Sequence, residues 1–397
     1  MMKLAVIFES SPFDRKGLFN AVHNRVKHLL ATGECSVDVF CIHSRDNAFT
    51  RSVRHTPDVP FVDETVVDDI RYRLLWYRFS ILDNVLLEKL HVRPWLFRRF
   101  IASHVDLLKG YDAVIAHSFC GGLFALAAHE RFGVPYYVTW HGSDVHTHPW
   151  RVPVILEDTR AVMESARCNF FVSCALLEAS EKITSNARKE VLYNGVSEDF
   201  VKYSPERRTA VRERYGLAYE DKVVAFVGNL VTVKNVLSLP DIFAQVAKGY
   251  DGPLKFWIVG DGKLRKQLEA ACSERLTPHC EERSDVAISF FGNQPSPAMP
   301  DIMNCIDVLV LPSLNEGLPL VCAEALSCGA AVVGSDVGGI AEVIGSENVV
   351  PLGDSFVNGM AEKVVAALMG QSPSQTLPAD ISWARTAAQE LAALKSL

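Results

Sequence analysis

The stretch Ile306–Glu324, IDVLVLPSLNEGLPLVCAE, decides how we interpret the rest of the chain. Its first part, IDVLVLP, is an aliphatic run bounded by Pro312, which is typical of a parallel strand buried on both faces. A short polar turn follows, and Leu318 and Pro319 then lead into the apolar-periodic LVCAEALSCG. Pro319 suits the first position of a helix, where its missing N–H costs nothing. The stretch therefore predicts a strand, a loop and a helix.

Two carboxylates accompany the start of this predicted helix. Glu316 lies in the loop beside Gly317, and Glu324 follows about two turns further on. The free N–H groups of a helix start attract anions, and phosphate above all. A carboxylate cannot hold phosphate, so these two residues would bind neutral hydroxyls, which points to a diphosphate joined to sugars. The alternative is that Glu316 is a loop residue in solvent and that Glu324 pairs with a lysine.

Length and composition bound the class of protein. The chain has 397 residues, enough for two domains, because single cores rarely grow past roughly 250 residues. No apolar stretch reaches the ~18 residues of a membrane span, and MMKLAVIFES predicts a first strand rather than a signal peptide. The ten cysteines form no CxxC pair and lie mostly in apolar surroundings. We therefore expect a cytoplasmic protein with buried, reduced thiols.

The charge distribution limits the partners. A net charge of −7 argues against a nucleic-acid binder. Residues 1–198 hold 23 Lys+Arg and 23 Asp+Glu, which leaves 17 of the 40 cations and 24 of the 47 acids for the remainder. The whole net negative charge thus belongs to the C-terminal half. If that half binds a nucleoside diphosphate, it must use local donors and one or two cations.

The N-terminal half begins as a βαβ unit, with the segments KLAVIFES, LFNAVHNRVKHLLATG and SVDVFCIH. The loop after the first strand contains one glycine, Gly17, and no GxGxxG, which disfavours a dinucleotide-dependent dehydrogenase. Gly17 is either a turn residue or a point of close approach to a ligand. VPYYVTWHGSD predicts a buried strand that ends at His141, and ligands of open α/β sheets gather at such ends.

The run HGSDVHTH also raises the hypothesis of a metal site. His141, Asp144, His146 and His148 lie close together in the sequence. Metal ligands usually come from separated elements or from an i, i+4 helical pair. We therefore expect no metal at this run.

The segment Arg71–Phe100, RYRLLWYRFSILDNVLLEKLHVRPWLFRRF, is basic and aromatic. It carries seven Lys+Arg against two acids, with two Trp, two Tyr and three Phe. Such a stretch is typical of a protein that lies on an anionic membrane surface. The alternative is a pair of core helices whose arginines are merely at the surface.

The C-terminal half repeats the alternation of strands and turns. KVVAFVGNL, KFWIVGDG, ISFFGN and GAAVVGSDVGG predict strands followed by turns, and SWARTAAQELAALKSL predicts an amphipathic final helix. Cys272–Asp285 is polar and contains a proline, so we interpret it as a surface loop. Two such sheets in tandem would face a cleft. The strand-end residues that would line it are Lys234, Glu316, Glu324, Gly338, Gly17 and His141.

Together these motifs resemble those of the family-4 retaining glycosyltransferases of the GT-B fold. Glu316 and Glu324 have the spacing of the family's E-x7-E motif, within S-x-x-E-G-L-P and an EAL-x-x-G helix. VGNL…K resembles the family's VGRL…K, and VGDG, FFG, HGSD and YNGV have counterparts there. The resemblance covers almost the whole chain and is strongest over Val227–Glu342. It implies two Rossmann-like domains, with residues 1–198 plus the helix 383–397 for the acceptor and 199–382 for the donor.

The resemblance also implies residue roles. Glu324 would hold the ribose hydroxyls of the donor, Glu316 the donor-sugar hydroxyls, and Lys234 the diphosphate. His141 would contact the sugar near the reacting carbon. The remaining donor contacts would come mainly from the backbone, at Gly17, Gln294, Gly317, Leu318, Pro319 and Leu320.

One residue departs from the family pattern. Asn229 stands where the family has an arginine. A cation that usually shares the leaving charge is therefore missing, which leaves Lys234 and the helix start to stabilise the diphosphate. The change bears on the rate or the donor type, and it raises the alternative of an inactive family member.

The resemblance implies a retaining glycosyltransferase that moves a sugar from a UDP- or GDP-sugar to a polysaccharide or lipid-linked glycan hydroxyl. We expect no cofactor beyond the nucleotide sugar, no nucleic-acid partner and, since no DxD-like acidic pair is evident, no metal. A peripheral position on the inner face of the cytoplasmic membrane would follow if Arg71–Phe100 contacts lipid. The alternatives are a sugar-nucleotide 2-epimerase of the same fold and a non-catalytic membrane-associated protein.

Overall fold

The computed structural model describes residues 1–13, 17–45, 59–78, 81–282 and 285–396, and of residues 277–282 it describes only the backbone. The chain forms two compact units. The N-terminal unit comprises Met1–Gly195 together with Ser382–Leu397, and the C-terminal unit comprises Val196–Ile381.

The described strands belong to two sheets. In chain order they are β1 (Met2–Glu9), β2 (Cys35–Ser44), β3 (Glu64–Val67), β4 (Ile70–Tyr77), β5 (Ala113–His117), β6 (Tyr136–Trp140), β7 (Cys168–Phe171), β8 (Lys189–Val191), β9 (Lys222–Val227), β10 (Leu254–Val259), β11 (Val286–Gly292), β12 (Val308–Leu311), β13 (Ala331–Ser335) and β14 (Val349–Val350). The N-terminal sheet has the order β3-β4-β2-β1-β5-β6-β7-β8, and the C-terminal sheet has the order β11-β10-β9-β12-β13-β14. Apart from the antiparallel pair β3–β4, the described strand ladders are parallel. The prediction of two parallel α/β sheets is confirmed.

The described α-helices flank these sheets. They are α1 (Leu18–Ala31), α2 (Ile81–Leu90), α3 (Trp95–His104), α4 (Ser118–Phe132), α5 (Ser143–His146), α6 (Pro153–Ser165), α7 (Cys174–Ser180), α8 (Pro205–Arg214), α9 (Leu239–Gly249), α10 (Arg265–Glu282), α11 (Met299–Cys305), α12 (Leu320–Ser327), α13 (Ile340–Ile344), α14 (Phe356–Leu368) and α15 (Trp383–Lys395).

The core of the N-terminal unit surrounds β1, whose residues Leu4–Phe8 are at most 1% exposed. A continuous apolar run of this kind needs cover on both faces of its sheet. Helix α4 approaches β1 closely, because a Cβ on Gly121 would lie 2.5 Å from the carbonyl oxygen of Ile7. Helices α1 and α15 contact each other and contribute Phe19 and Leu391 to the same core cluster.

The final helix returns to the N-terminal unit, and the sequence predicted its amphipathic character correctly. Ala387, Leu391 and Leu394 are buried. The chain leaves this unit at Gly195, where a Cβ would lie 2.0 Å from the amide nitrogen of Trp383. Glycine at this position therefore allows the outgoing chain to pass the start of α15.

The segment Cys272–Asp285 corrects the sequence-based interpretation. We expected a surface loop, but α10 runs from Arg265 to Glu282. Leu268, Cys272 and Leu276 are each at most 1% exposed, and they recur every fourth residue, as one face of a helix requires. The prediction failed because it gave the polar residues and the proline more weight than this period.

The segment Arg71–Phe100 is a strand followed by helices. Its first seven residues belong to β4, and α2 and α3 follow. Helix α2 has no buried residue among those described, whereas α3 buries Phe100 and Ile101. The alternative of two core helices is therefore wrong for α2. Within the described ranges, no helix is long and apolar enough to cross a membrane, and the nine described cysteines are free thiols.

Candidate functional site

A charged pair lies beyond the carboxyl ends of β9 and β12 in the C-terminal unit. Lys234 Nζ donates a hydrogen bond to Glu316 Oε1 at 2.5 Å, and the Ser313 hydroxyl donates to the same oxygen at 2.6 Å. The side chains of Lys234 and Glu316 are 24% and 10% exposed. Lys234 therefore pairs with Glu316, which excludes the alternative of a solvent-exposed loop glutamate.

Three loops hold this pair in place. The Leu314 amide donates to the carbonyl of Val233 at 2.8 Å, which joins the loops after β9 and β12. The Gly339 amide donates to the carbonyl of Gly317 at 3.0 Å, which adds the loop after β13. Gly338 has a φ of +52°, and a Cβ there would lie 1.9 Å from the Glu316 carbonyl oxygen. The missing side chain at Gly338 therefore allows the loop after β13 to lie against the backbone of Glu316.

Helix α12 begins beside Glu316. Its first residue is Leu320, and Pro319 occupies the N-cap position with extended backbone angles. The expectation that Pro319 would be the first helical residue is wrong by one position. The Cys322 amide already bonds to the carbonyl of Pro319 at 3.0 Å. The Gly317–Leu320 segment therefore leads directly to the free N–H groups of the helix start.

Glu324 is the fifth residue of α12. The neighbouring Cys322, Ala323 and Ala325 are buried, whereas Glu324 is partly buried. Its carboxylate has no hydrogen-bond or ion-pair partner within the described ranges, so the alternative of a Glu–Lys pair does not hold. Burial raises the pKa of Glu324 to about 7. A carboxyl group with this pKa is partly ionised near neutral pH, and its oxygens can accept hydrogen bonds from a ligand's hydroxyls.

Asn229 follows β9 and Gln294 follows β11, and β10 lies between these two strands in the sheet. Asn229 is exposed, so its loop presents an uncharged amide where the family has a cation. Gln294 uses its side-chain amide to bond the carbonyl of Phe291 at 2.7 Å. A Cβ on Gly260 would lie 2.0 Å from the carbonyl oxygen of Gly228. The glycines of VGNL and VGDG therefore let the ends of β9 and β10 approach each other.

A histidine pair lies at the strand ends of the N-terminal unit. His117 ends β5 and His141 follows β6, and their Nδ1 and Nε2 atoms are 3.1 Å apart. The Asp144 carboxylate accepts the amides of His141, at 3.1 Å to each oxygen, and of Gly142, at 2.8 Å. Asp144 thus fixes the backbone of the HGSD turn.

Both histidines are neutral at physiological pH. Burial, together with the nearby Arg25 guanidinium, lowers the pKa of His141 to about 3. Burial is also the main reason why the pKa of His117 lies well below its usual value, with smaller effects from His141 and Arg25. The pair can therefore form hydrogen bonds with a ligand hydroxyl, but it does not provide a positive charge.

Arg25 belongs to a buried charge pair next to this turn. Its Nη1 donates to the Thr139 hydroxyl on β6 at 2.6 Å, and its Nε lies 3.9 Å from Glu390 Oε2 on α15. The side chains are 1% and 0% exposed, and both Glu390 oxygens lack a hydrogen-bond partner in the described part of the chain. The final helix is therefore linked by charge to the strand that carries His141.

Gly17 precedes α1 with a φ of +38°, and a Cβ there would have no heavy atom of the described residues within 4 Å. Its positive φ suits a turn and equally suits a close approach of the backbone to a ligand, so both alternatives remain. In the HGSDVHTH run, Asp144 faces backbone amides. Within the described ranges no three His, Cys, Asp or Glu side chains form a set that could hold a metal ion.

Sequence reasoning missed four residues of these clusters: Ser313, His117, Arg25 and Glu390. His117 could have been found, because YDAVIAHS ends in a polar residue just as the strand before His141 does. Arg25 and Glu390 lie on helices far apart in the sequence. Their pairing depends on α15 packing against α1, which no local pattern reveals.

Comparisons with known proteins agree with these features. Residues 17–195 match the model of the glycosyl transferase 4-like domain, and residues 221–369 match that of the glycosyl transferases group 1. The chain belongs to the family-4, group 1 glycosyltransferases of the GT-B fold.

Curated relatives show how varied this family is. TuaC of Bacillus subtilis, a glycosyltransferase assigned to teichuronic acid biosynthesis, is 27% identical over 64% of this chain and 60% of its own length. The N-acetyl-alpha-D-glucosaminyl L-malate synthase of Bacillus anthracis is 28% identical over 61% of this chain and 59% of its own. The chain thus spans about three fifths of these relatives.

Solved structures share the fold over the full length. HepE of Anabaena in complex with UDP and glucose has a TM-score of 0.69 at 17% identity, with 100% of both chains covered. The lipopolysaccharide outer core galactosyltransferase WaaB has a TM-score of 0.66 at 19% identity, covering 100% of this chain and 99% of its own. At such identities the likeness establishes the fold alone.

Proposed function

We propose that this protein is a retaining glycosyltransferase that uses a UDP- or GDP-sugar and glycosylates a cell-surface polysaccharide or a lipid-linked glycan. One observation carries the proposal: the Lys234–Glu316 contact of 2.5 Å beside the start of α12, on which the Glu324 carboxylate has no partner among the described residues. This arrangement offers a cation and amide N–H groups for a diphosphate, and two carboxylates for sugar hydroxyls. A nucleotide sugar needs both.

The donor roles follow from this chemistry. The diphosphate would recruit Lys234 and the N–H groups at the start of α12. Glu316, released from Lys234, would accept hydroxyls of the transferred sugar, with the backbone of Gly317–Leu320 beside it. Glu324 would accept the ribose hydroxyls, and the backbone near Gln294 and Gly17 would contact the base and the phosphates respectively.

In the proposed reaction, the bond between the anomeric carbon and the diphosphate oxygen breaks, and the electron pair leaves with the diphosphate. The acceptor oxygen forms the new bond on the same face of the sugar, and its proton passes to the departing diphosphate. Preorganised positive potential at the leaving oxygens lowers the barrier. Lys234 and the helix start supply that potential, and Asn229 adds none. The neutral His141 would orient the sugar through a hydrogen bond.

We also propose that the reaction needs no cofactor and no metal, because Lys234 and the start of α12 would offset the leaving charge. Activity should then persist in EDTA. Loss of activity in EDTA that Mg²⁺ restores would contradict this part of the proposal.

The comparisons support the donor class and the acceptor class to different degrees. The UDP and UDP-glucose complexes of HepE show a protein of the same fold with such a donor. The names of the relatives point to different products, teichuronic acid for one and an N-acetylglucosaminyl L-malate for another. The donor is therefore the better supported half of the proposal.

We propose that the protein associates peripherally with the anionic inner face of the cytoplasmic membrane through α2 and α3. Leu82 and Trp95 are 66% and 60% exposed on these helices. Arg93 forms ion pairs with Asp158 and Glu157, both at 2.8 Å. Arg98 and Arg99 are therefore the better residues to substitute when the membrane contact is tested. An Arg98→Glu/Arg99→Glu variant should float less with anionic liposomes than wild type. Equal flotation would refute the membrane contact.

The donor site is tested by thermal unfolding with UDP, GDP, ADP and their sugars in EDTA. A ligand that binds only the native state adds about 2.7 kcal/mol to the free energy of unfolding at 100 times its Kd. One nucleotide should stabilise the wild type and a Glu362→Ala control on α14, but not Glu324→Ala. Glu362 is exposed and lies on another helix of the same unit.

Two results would favour other functions. If no nucleotide stabilises the wild type, the donor site is absent, and a non-catalytic membrane-associated protein becomes the better account. If the bound donor is converted without any acceptor and without hydrolysis, a 2-epimerase is the better account.

A further inference from the structure

The two carboxylate oxygens of Glu316 differ in their partners. Oε1 accepts hydrogen bonds from Lys234 Nζ at 2.5 Å and from the Ser313 hydroxyl at 2.6 Å. A carboxylate oxygen offers about two acceptor positions, so both positions of Oε1 are occupied. Oε2 has no hydrogen-bond or ion-pair partner within the described ranges. The protein therefore holds the carboxylate by one oxygen and leaves the other oxygen to a ligand.

The sheet fixes Ser313 in position. This residue lies just beyond β12 and is fully buried. Its carbonyl oxygen accepts the hydroxyl of Ser335 at 2.5 Å, and Ser335 is the equally buried last residue of the neighbouring strand β13. A hydroxyl has a single proton to donate, and that of Ser313 goes to Glu316. Ser313 is therefore a rigid donor directed at one carboxylate oxygen.

Ser335 shows what a purely structural serine does at this edge of the sheet. Its hydroxyl donates to main-chain carbonyls, those of Ser313 and, at 3.5 Å, Leu311. Most side-chain hydrogen bonds in proteins likewise go to the main chain or to water. The hydroxyl of Ser313 instead bonds the side chain that we assign to the donor sugar. This difference between two buried neighbours indicates that Ser313 serves the site and not only the fold.

Lys234 and Ser313 would respond differently to a diphosphate. The side chain of Lys234 is 24% exposed, and in the proposed donor complex its ammonium group turns to the diphosphate. Glu316 then loses one of its two donors. The Ser313 hydroxyl is buried and stays bonded to Oε1. Without that bond the glutamate side chain would regain rotamer freedom, and binding of the sugar would have to offset the lost entropy.

We infer that Ser313 is a positioning residue for the donor sugar. It keeps Glu316 in place when the diphosphate occupies Lys234, so that Oε2 accepts a sugar hydroxyl. The inference rests on the proposed glycosyltransferase function for the identity of the ligand. It adds a requirement of its own, because Ser313 then acts on the sugar half of the donor and not on the nucleoside diphosphate half.

Titration calorimetry separates the two halves of the donor. The sugar nucleotide that stabilises the wild type most in the thermal panel is compared with its free nucleoside diphosphate, both in EDTA. Ser313→Ala should weaken binding of the sugar nucleotide about tenfold, the effect of one hydrogen bond to a carboxylate, and should change binding of the free nucleoside diphosphate little. As a control, Ser180→Ala removes an equally buried hydroxyl, with a hydrogen bond of the same 2.6 Å length, from the end of α7. It should change neither affinity.

A double-variant cycle shows whether Ser313 acts through Glu316. In the Glu316→Ala background, Ser313→Ala should no longer weaken the sugar nucleotide, because its hydroxyl then has no carboxylate to hold. An effect on the fold alone would persist in this background. Ser313→Cys keeps nearly the same volume but replaces the hydroxyl with a weak donor. It should therefore behave as Ser313→Ala does, and it provides the same test if the alanine variant does not fold.

Three outcomes overturn the inference: an equal loss of affinity for the sugar nucleotide and the free nucleoside diphosphate, a loss that persists in the Glu316→Ala background, or unchanged binding of the sugar nucleotide in the Ser313 variants. Failure of the proposed function is read separately, because no nucleotide then binds the wild type at all, which removes the basis of both. If the wild type binds its sugar nucleotide and the Ser313 variants bind it equally well, the function stands and only the role of Ser313 is wrong.

Discussion

The strand ends of the two units differ in the charge of their side chains. In the N-terminal unit, burial keeps His117 and His141 neutral, and the only buried cation beside them, within the described ranges, is paired with Glu390. In the C-terminal unit, Lys234 and Glu316 form an ion pair and are partly exposed. A neutral turn suits hydroxyls, and a partly exposed cation suits a diphosphate. The difference supports a division of labour between acceptor and donor.

The largest effect should come from breaking the buried pair of the N-terminal unit. Glu390→Leu leaves the Arg25 guanidinium buried without its counter-charge, so the free energy of unfolding should fall by about 3–5 kcal/mol. Denaturant unfolding measures this change. The double variant Arg25→Met/Glu390→Leu should recover most of the loss, because both charges are then removed. A double variant as unstable as the single one would show that the pair has another role.

The next effect concerns the charged pair of the C-terminal unit. Lys234→Ala removes the cation that would stabilise the departing diphosphate, so kcat/KM should fall by about 10²–10³. The melting temperature should change little, because the pair is partly exposed. Lys248→Ala, at the exposed end of α9, is the matched control. Equal activity of the two variants would contradict the role of Lys234.

A smaller effect should appear in the pH dependence of donor binding. The pKa of Glu324 is raised to about 7 by burial, and only its ionised form accepts two hydroxyls. Affinity for the stabilising sugar nucleotide should therefore fall by up to about tenfold per pH unit below that pKa and level off above it. Calorimetry with Glu324→Gln should show no such dependence. A slope that persists in the variant would assign the titration to another group.

The same shift affects stability with a defined sign. A carboxyl whose pKa is higher in the folded than in the unfolded state stabilises the fold below its unfolded pKa and loses this contribution as pH rises through its folded pKa. The free energy of unfolding of the wild type should thus include a decrease with rising pH, up to about pH 7, that Glu324→Gln lacks.

The smallest effect is expected for the pH dependence of kcat, which should stay nearly constant around neutral pH. With the pKa of His141 lowered to about 3, its charge does not change near neutral pH. In the Glu324→Gln background, kcat should therefore vary less than about twofold between about pH 6 and 8. A titration step in that range that His141→Gln abolishes would show that the histidine is not neutral during turnover.

The fold could be predicted from the sequence because apolar strand runs, polar strand ends and glycine-rich turns are local signals. The resemblance around Glu316 and Glu324 added the family. The segment Cys272–Asp285 was wrongly predicted to be a loop, because its helical periodicity of buried residues is interrupted by many polar residues. The pairing of Lys234 with Glu316 and of Arg25 with Glu390 could not be predicted, because it depends on how distant segments pack.

The most direct test of the donor site is a crystal structure of the protein with the nucleotide sugar that stabilises it, grown in EDTA. We expect diphosphate oxygens within hydrogen-bond distance of Lys234 Nζ and of the amides at the start of α12, with the ribose hydroxyls on the Glu324 carboxylate. A nucleotide bound away from Lys234 and Glu324 would contradict the account.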